Sequence, residues 1–225
     1  IVNFGGREYD YVESVKVVSE PDLYARSRNV EFRANGLRAL TQHYHFIDDI
    51  SNLDIIPKLI EIEMVSGSFQ IGEEIVGFPR QSSNDSVATI VFRCAQPNHK
   101  IGAYNSPTKV YTFNPYNKNE IIQSEYSSTS NILNVDTFSL SEESLTKYNG
   151  YIELGTELIG STSGAVARVS NIRLVSDALG DINGCFYIRD PNEDPLPLVR
   201  LNTGNRVFKI TSDSVNSTPL PGAET

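Results

Sequence analysis

Tryptophan is absent from the 225 residues, methionine occurs once (Met64) and cysteine only twice (Cys94 and Cys185). The bulky core positions therefore fall to Tyr, Phe, Ile, Leu and Val. The two cysteines lie far apart, and neither sits in a C-x-x-C pair or near a histidine cluster, so they outline no zinc or redox motif. A disulfide between them is geometrically possible. Two free, partly buried thiols are the reading we expect for a protein assembled in a reducing cytoplasm. Positive charge is also short, with 19 Lys and Arg against 28 Asp and Glu and a net charge of -9. That argues against a partner held through nucleic-acid phosphates, which requires clustered Lys and Arg. No run of about 18 apolar residues is present, so no membrane-inserted helix is expected. No basic n-region with an apolar stretch opens the chain, and it does not start with Met, from which a processed chain or an internal piece of a longer one is expected.

The residues that are abundant point to strands. Eleven Tyr and ten Phe stand among many Val, Ile and Thr, which suit pleated, half-buried surfaces better than helices. Fifteen Gly and eleven Pro supply punctuation for many short strands. The expected fold class is all-β: tandem small antiparallel sandwich- or barrel-like domains with long loops and at most short helices.

Period-two patterns place several strands. Val30, Phe32 and Ala34 share one face against Asn29, Glu31 and Arg33, and Asn35-Gly36 then turns the chain. In residues 41–47 (TQHYHFI), Tyr44 and Phe46 oppose His43, His45 and Ile47, so the two runs predict a hairpin. In residues 55–63, Pro57 restricts its run to an edge or a strand start. Residues 68–77 (SFQIGEEIVG) and 151–160 (YIELGTELIG) repeat one another, pairing Phe69 with Ile152, Gly72 with Gly155, Ile75 with Leu158, Val76 with Ile159 and Gly77 with Gly160. Downstream, residues 86–92 match residues from 165 once a few are looped out. Two copies predict two similar modules, one after the other. The expected divisions are 1–63, a hairpin-containing region; 64–148, a first β-module with a polar aromatic insertion; 149–212, a second module; and 213–225, a linker or tail running on to a further domain. A capping-box spacing at Ser139 and Glu142 predicts one short helix over residues 140–145. Residues 181–184 (DING) predict a hairpin turn into the strand 185–188, and 206–210 predict a last strand.

Taken in order, ARSRNVEFRANGLRALTQHYHFID, DIIPKLIEI, the IGEEIVG unit, AQPNHKIGAYNSPTKVYTFNPYN, LIGSTSGAVARVSNIRLVSDALGDINGCFYIRDPN and TGNRVFKITSDS resemble the large virion structural proteins of contractile-tailed cyanophages and related marine phages. These are usually tail-fibre or baseplate-associated. The resemblance runs from about residue 25 to 214. It implies an architectural role in a phage tail, in a virion assembled in the host cytoplasm, with copies of the same chain (often three) and other tail proteins as partners.

Candidate sites are few. His43 and His45 project from one strand face about 7 Å apart. Three chains meeting on an axis could bring six imidazoles around a transition metal, while the plainer reading is two solvated or hydrogen-bonded side chains. Asp190, Asn192, Glu193 and Asp194 begin like a calcium loop, but Pro195 stands where the sharp-turn Gly belongs. The neighbouring carboxylates Glu73/Glu74, Asp48/Asp49 and Glu142/Glu143 point to opposite strand faces and do not make a glycosidase pair by themselves. No G-x-S-x-G elbow, P-loop or H-E-x-x-H occurs, so neither an enzyme nor a cofactor is expected. The basic spot Arg26 to Arg28 reads as surface ion pairing. Tyr104, Tyr111, Tyr116 and Tyr126, with Phe113, lie among Asn and Ser, a composition that suits a recognition or contact surface. For most of these rings, packing into the thin core of a Trp-free protein is the favoured reading. Three functions compete on this reading: a structural subunit, a carbohydrate- or receptor-binding module, and a polysaccharide-degrading tail protein.

Overall fold

The structure, a computed structural model, describes residues 2–4, 7–9, 25–50, 53–80, 87–142, 147–190 and 201–216, the first two stretches as backbone only. These residues are nearly all β, 49% of them in strands and 3% in helix. Val2–Phe4 (β1) and Arg7–Tyr9 (β2) form a small antiparallel ribbon. Arg28–Ala34 (β3), Gln42–Ile47 (β4), Asp54–Pro57 (β5), Leu59–Ser66 (β6), Glu74–Phe78 (β7) and Ile90–Arg93 (β8) follow. His99–Ala103 (β9) with Ser106–Val110 (β10), and Phe113–Asn114 (β11) with Asn117–Ile121 (β12), are two-stranded hairpins. The chain continues through Ile132–Asn134 (β13), the helix Thr137–Ser141 (α1), Asn149–Gly150 (β14), Glu157–Gly160 (β15), Val166–Asn171 (β16), Leu174–Val175 (β17), Ile182–Ile188 (β18) and Phe208–Thr211 (β19). Among the described residues no helix is long and apolar enough to cross a membrane.

The two repeat copies do not stand as successive modules. They interleave in one seven-stranded antiparallel sheet of order β13-β6-β16-β15-β7-β8-β14. At its centre β7 and β15 pair in the register Ile75 to Gly160, Val76 to Ile159 and Gly77 to Leu158. Each residue thus faces the counterpart of its mirror position, and a local twofold relation passes between Val76 and Ile159. Outward from there, β8 and β16 correspond, as do β14 and β6. The first strand of each copy pairs with the last strand of the other: Ser66 with Val166, and Asn149 with Val91. The expected division at 148/149 therefore falls inside a single hydrogen-bonded unit. Short repeats with one apolar face can bury it by sharing a sheet as well as by stacking.

The predicted hairpin over residues 29–47 does not form. Gly36 turns the chain with φ +75°, but β3 pairs with β18 while β4 lies between β17 and β19. The order β3-β18-β5 makes a second small sheet, and β5, which ends at Pro57, is its edge. Asn183-Gly184 sits inside β18 rather than in a turn. The reversal comes earlier, at residues 177–181, where Gly180 has φ +79°. The helix also starts earlier than the capping-box spacing predicts. Its cap is Asp136, whose carboxylate accepts from Ser139 N at 3.4 Å.

Two larger apolar clusters hold these sheets, and a third, of Leu59, Tyr111, Ile122 and Ile132, lies under the polar aromatic stretch. The seven-stranded sheet buries Ile60, Ile75, Phe92, Leu133 and Leu158, all fully shielded from solvent, each worth about 1.5–3 kcal/mol relative to exposure. The smaller sheets enclose Ile55, Phe186, Ile188 and Ile210, and Phe208 lies between Phe32 and Phe186 with ring centroids 4.9 and 5.0 Å away.

Candidate interaction surface

The polar aromatic stretch between the repeat copies is fastened to the body by tyrosines that the sequence admits as core or as a contact surface. The Tyr126 hydroxyl donates to Ala95 O at 2.6 Å and accepts from Asn134 N at 3.0 Å. Tyr116 donates to the carbonyls of Leu59 and, at 3.2 Å, Arg173. Tyr111 is buried, its hydroxyl accepting from Asn183 Nδ2 at 3.5 Å. Burial pushes all three phenols well above their ordinary pKa. Tyr104 is half-buried, with its ring over the Arg93 guanidinium at 4.1 Å. The hydroxyls of Tyr111, Tyr116 and Tyr126 thus point into the body and pin the stretch to it. Tyr among Asn and Ser has the same composition in both roles, and only the direction of the hydroxyls separates them.

An ion cluster completes the attachment. Lys100, 3% exposed, places Nζ on Asp177 Oδ2 and, at 2.6 Å, on Asp181 Oδ2. Burial opposes its charge, yet the two carboxylates hold its pKa above the ordinary value. Asp177 in turn accepts from the backbone N–H groups of Leu179 at 2.8 Å and Asp181 at 2.9 Å, so the β17–β18 turn and the root of the β9–β10 hairpin stabilise one another.

Among the mostly polar side chains that the two hairpins of this stretch turn outward, three are large and apolar. Phe113 and Ile121 are cross-strand partners and stay 42% and 61% exposed, with Val110 at 47% nearby in the chain. Ile121 and Val110 escaped the sequence reading. The available signal was their adjacency to Ile122 and Tyr111, which are buried: in a strand the neighbour of an inward residue points out.

The remaining candidates are engaged in the fold. His43 Nδ1 lies 2.8 Å from Thr41 O and His45 Nε2 3.2 Å from Leu53 O, and burial lowers both pKa values against the effect of those carbonyls. Among the described residues no group of three or more His, Cys, Asp or Glu could hold a metal ion; residues 191–195 of the calcium-like run lie outside them. The Glu73 carboxylate is buried and accepts from the N–H groups of Gln70 (2.6 Å), Thr162 (3.1 Å) and Ser163 (2.9 Å) and from the Ser163 hydroxyl (2.8 Å). Glu74 points away to Lys147 at 2.7 Å, and Asp48 holds Arg206 at 2.8 Å. Both cysteines are free and fully buried in the main cluster. Lys58, 2% exposed, donates to Val135 O at 3.1 Å, and burial pushes its pKa down to about 8.

Among the described residues, open clefts of ligand-sized volume include one of about 500 Å³ beside Tyr116 and Arg173 and two others. One of those two, of about 550 Å³, has an apolar floor including Val30, Phe186 and Ile188 with Arg26, Arg28 and Arg206 around it. The other, of about 570 Å³, lies beside Gly155 and is lined by Arg80, Leu154, Glu63, Glu157 and Arg168. No protein-family model matches the chain, and no match is found among curated proteins or solved structures.

Proposed function

We propose that this chain is an architectural module of a bacteriophage tail, associated with a tail fibre or baseplate, that works by assembling with copies of itself and with other tail proteins. The resemblance of its ordered segments to cyanophage virion proteins supplies the biological setting. The observation that carries the assembly reading is the exposed cross-strand pair Phe113–Ile121. It sits on a hairpin whose turn is fixed from beneath by Tyr116, and the hairpin forms a two-stranded sheet of its own. A fixed apolar projection with open strand edges is a ready contact for another chain, which defined assembly uses and a solitary protein normally suppresses.

Sedimentation velocity across the micromolar range tests the reading. An oligomer that dissociates on the double change Phe113→Ser and Ile121→Ser, with the circular dichroism unchanged, is expected. A chain that stays monomeric throughout, or an oligomer indifferent to those changes, overturns it.

A further inference from the structure

We infer that the cleft beside Gly155 docks a segment of a partner protein that presents an aromatic ring and a carboxylate together, because the corresponding cleft in the other half of the molecule is already filled in that way. The twofold relation carries Leu154, Gly155, Glu157, Arg168, Val169 and Ser170 onto Ile71, Gly72, Glu74, Arg93, Cys94 and Ala95. The backbones agree bond for bond. Gly155 N donates to Val169 O at 2.8 Å, as Gly72 N does to Cys94 O at 2.7 Å; Val169 N donates to Thr156 O at 2.9 Å, as Cys94 N does to Glu73 O at 2.8 Å. Gly155 and Gly72 share a left-handed backbone, φ +82° and +87°.

The contents of the two clefts differ. Over Gly72 lies the ring of Tyr104, so close that a Cβ on the glycine would sit 2.7 Å from Cε2. The same ring stacks on the Arg93 guanidinium, and Asp136 accepts from Arg93 Nε at 2.8 Å. Both come from the stretch inserted after the first copy. The second copy runs from Val169 directly into β17 and carries no such insertion. Among the described residues Arg168 has only Glu157, at 3.8 Å. The exposed Arg80 stem takes the ring's place over Gly155, its Cδ 2.8 Å from where a Cβ would sit, so a docking ring displaces that side chain. Exposure follows: the Arg168 side chain is 59% exposed against 28% for Arg93, and Leu154 60% against 36% for Ile71. Ser170 is exposed where Ala95 is fully buried.

The filled half specifies the occupant. A planar ring on a guanidinium and a carboxylate on its N–H groups are the two interactions arginine makes best. Glu63 and Glu157 also line the cleft, so a bare anion gains little there. In the filled half Glu74, the counterpart of Glu157, turns to Lys147 and leaves its arginine to Asp136. Among the described residues no aromatic side chain lines this cleft, so they offer a sugar ring no stacking platform, whereas a peptide brings its own ring. The inference rests on the assembly reading for the partner being another tail chain, but not for the docking itself.

The test titrates the isotope-labelled full chain, at a concentration where it sediments as a monomer, with a disulfide-closed peptide bearing one tyrosine flanked by aspartates. Saturable amide shifts at Leu154, Gly155 and Arg168 are expected. They weaken about tenfold or more when the peptide tyrosine becomes alanine, when its aspartates become asparagines, or in Arg168→Glu. Arg168→Lys, which keeps charge but not the planar fork, falls between. An unchanged spectrum elsewhere in the exposed Arg168 variants shows that the fold is intact. No saturable shift at millimolar peptide, or equal binding by Arg168→Glu, overturns the inference. Because sedimentation alone reads self-assembly, a chain that stays monomeric and still binds the peptide removes the first reading and keeps this one.

Discussion

Val76 pairs across the sheet with Ile159, the residue that holds its own place in the second copy of the repeat. Outward from that pair the strands are duplicated and exchanged as far as β6 and β14, and β13 alone in this sheet has no counterpart. β6 of the first copy lies beside β16 of the second, and β14 of the second beside β8 of the first. Neither copy completes its ladder without the other, so the two fold as one unit.

The exchange crosses two glycines that sit against each other's copy, and their tolerance of a methyl group should differ. At Gly150, φ is +117° and a Cβ would meet Thr89 O at 2.0 Å and Ile90 Cα at 2.7 Å. At its counterpart Gly67 the nearest atom is Ala165 Cα at 3.0 Å, and at Gly164 nothing lies within 4 Å. Gly150→Ala should cost about 3 kcal/mol or more, Gly67→Ala less, and Gly164→Ala only the left-handed backbone term of about 1 kcal/mol. Urea unfolding of the three variants gives the order.

Asn29 uses its carboxamide as a substitute strand. Its Nδ2 donates to Gly150 O at 2.8 Å and its Oδ1 accepts from Gly150 N at 2.9 Å, at the end of the seven-stranded sheet. Asn29→Ala orphans both buried groups and is expected to lose about 2 kcal/mol. Asn29→Asp keeps the acceptor but removes the donor and buries a charge, so it should lose at least as much at neutral pH and recover part of that on acidification. The same urea series at two pH values checks both.

Lys58 should make stability rise with alkali. Burial pushes its pKa from 10.5 to about 8, so between those values the unfolded chain still holds the proton that the folded chain has released. With more protons bound in the unfolded state, stability increases with pH across that window, by about 3 kcal/mol for this group. The buried thiols act in the opposite sense, because the unfolded thiol ionises first. The comparison is therefore between wild type and Lys58→Met: the difference in unfolding free energy should shift toward wild type from pH 8 to 10.5. A difference that stays flat would show that folding leaves the lysine's pKa where it is in the unfolded chain.

Cys94 and Cys185 are both pushed up by burial and have no solvent exposure. Neither should react with a disulfide reagent in the native state on the timescale on which the urea-unfolded chain reacts fully, since the thiolate is the nucleophile. Absorbance of the released thiol follows this directly.

The tyrosines show where sequence reading runs short. For Tyr111, Tyr116 and Tyr126 the sequence favours core without excluding a contact surface, because a phenol packs its ring and satisfies its hydroxyl in either place. The body supplies the Leu59 and Ala95 carbonyls that decide it, and those partners are 57 and 31 residues away. Asn29 is similar: period two put it opposite Val30 and Phe32, but not against Gly150.

By itself the sequence determined that the chain is all-β, where most strands lie, and that residues 68–77 and 151–160 are copies of one unit. Those follow from local chemistry, the alternation of side chains along a pleat and the glycines that left-handed turns require. Only the tertiary structure decided which strand lies beside which, that the copies interleave, and that one cleft is filled while its counterpart is open. Side-chain alternation tells a strand which face is buried and carries no label for its neighbour, so pairing waits on the packing of the whole chain.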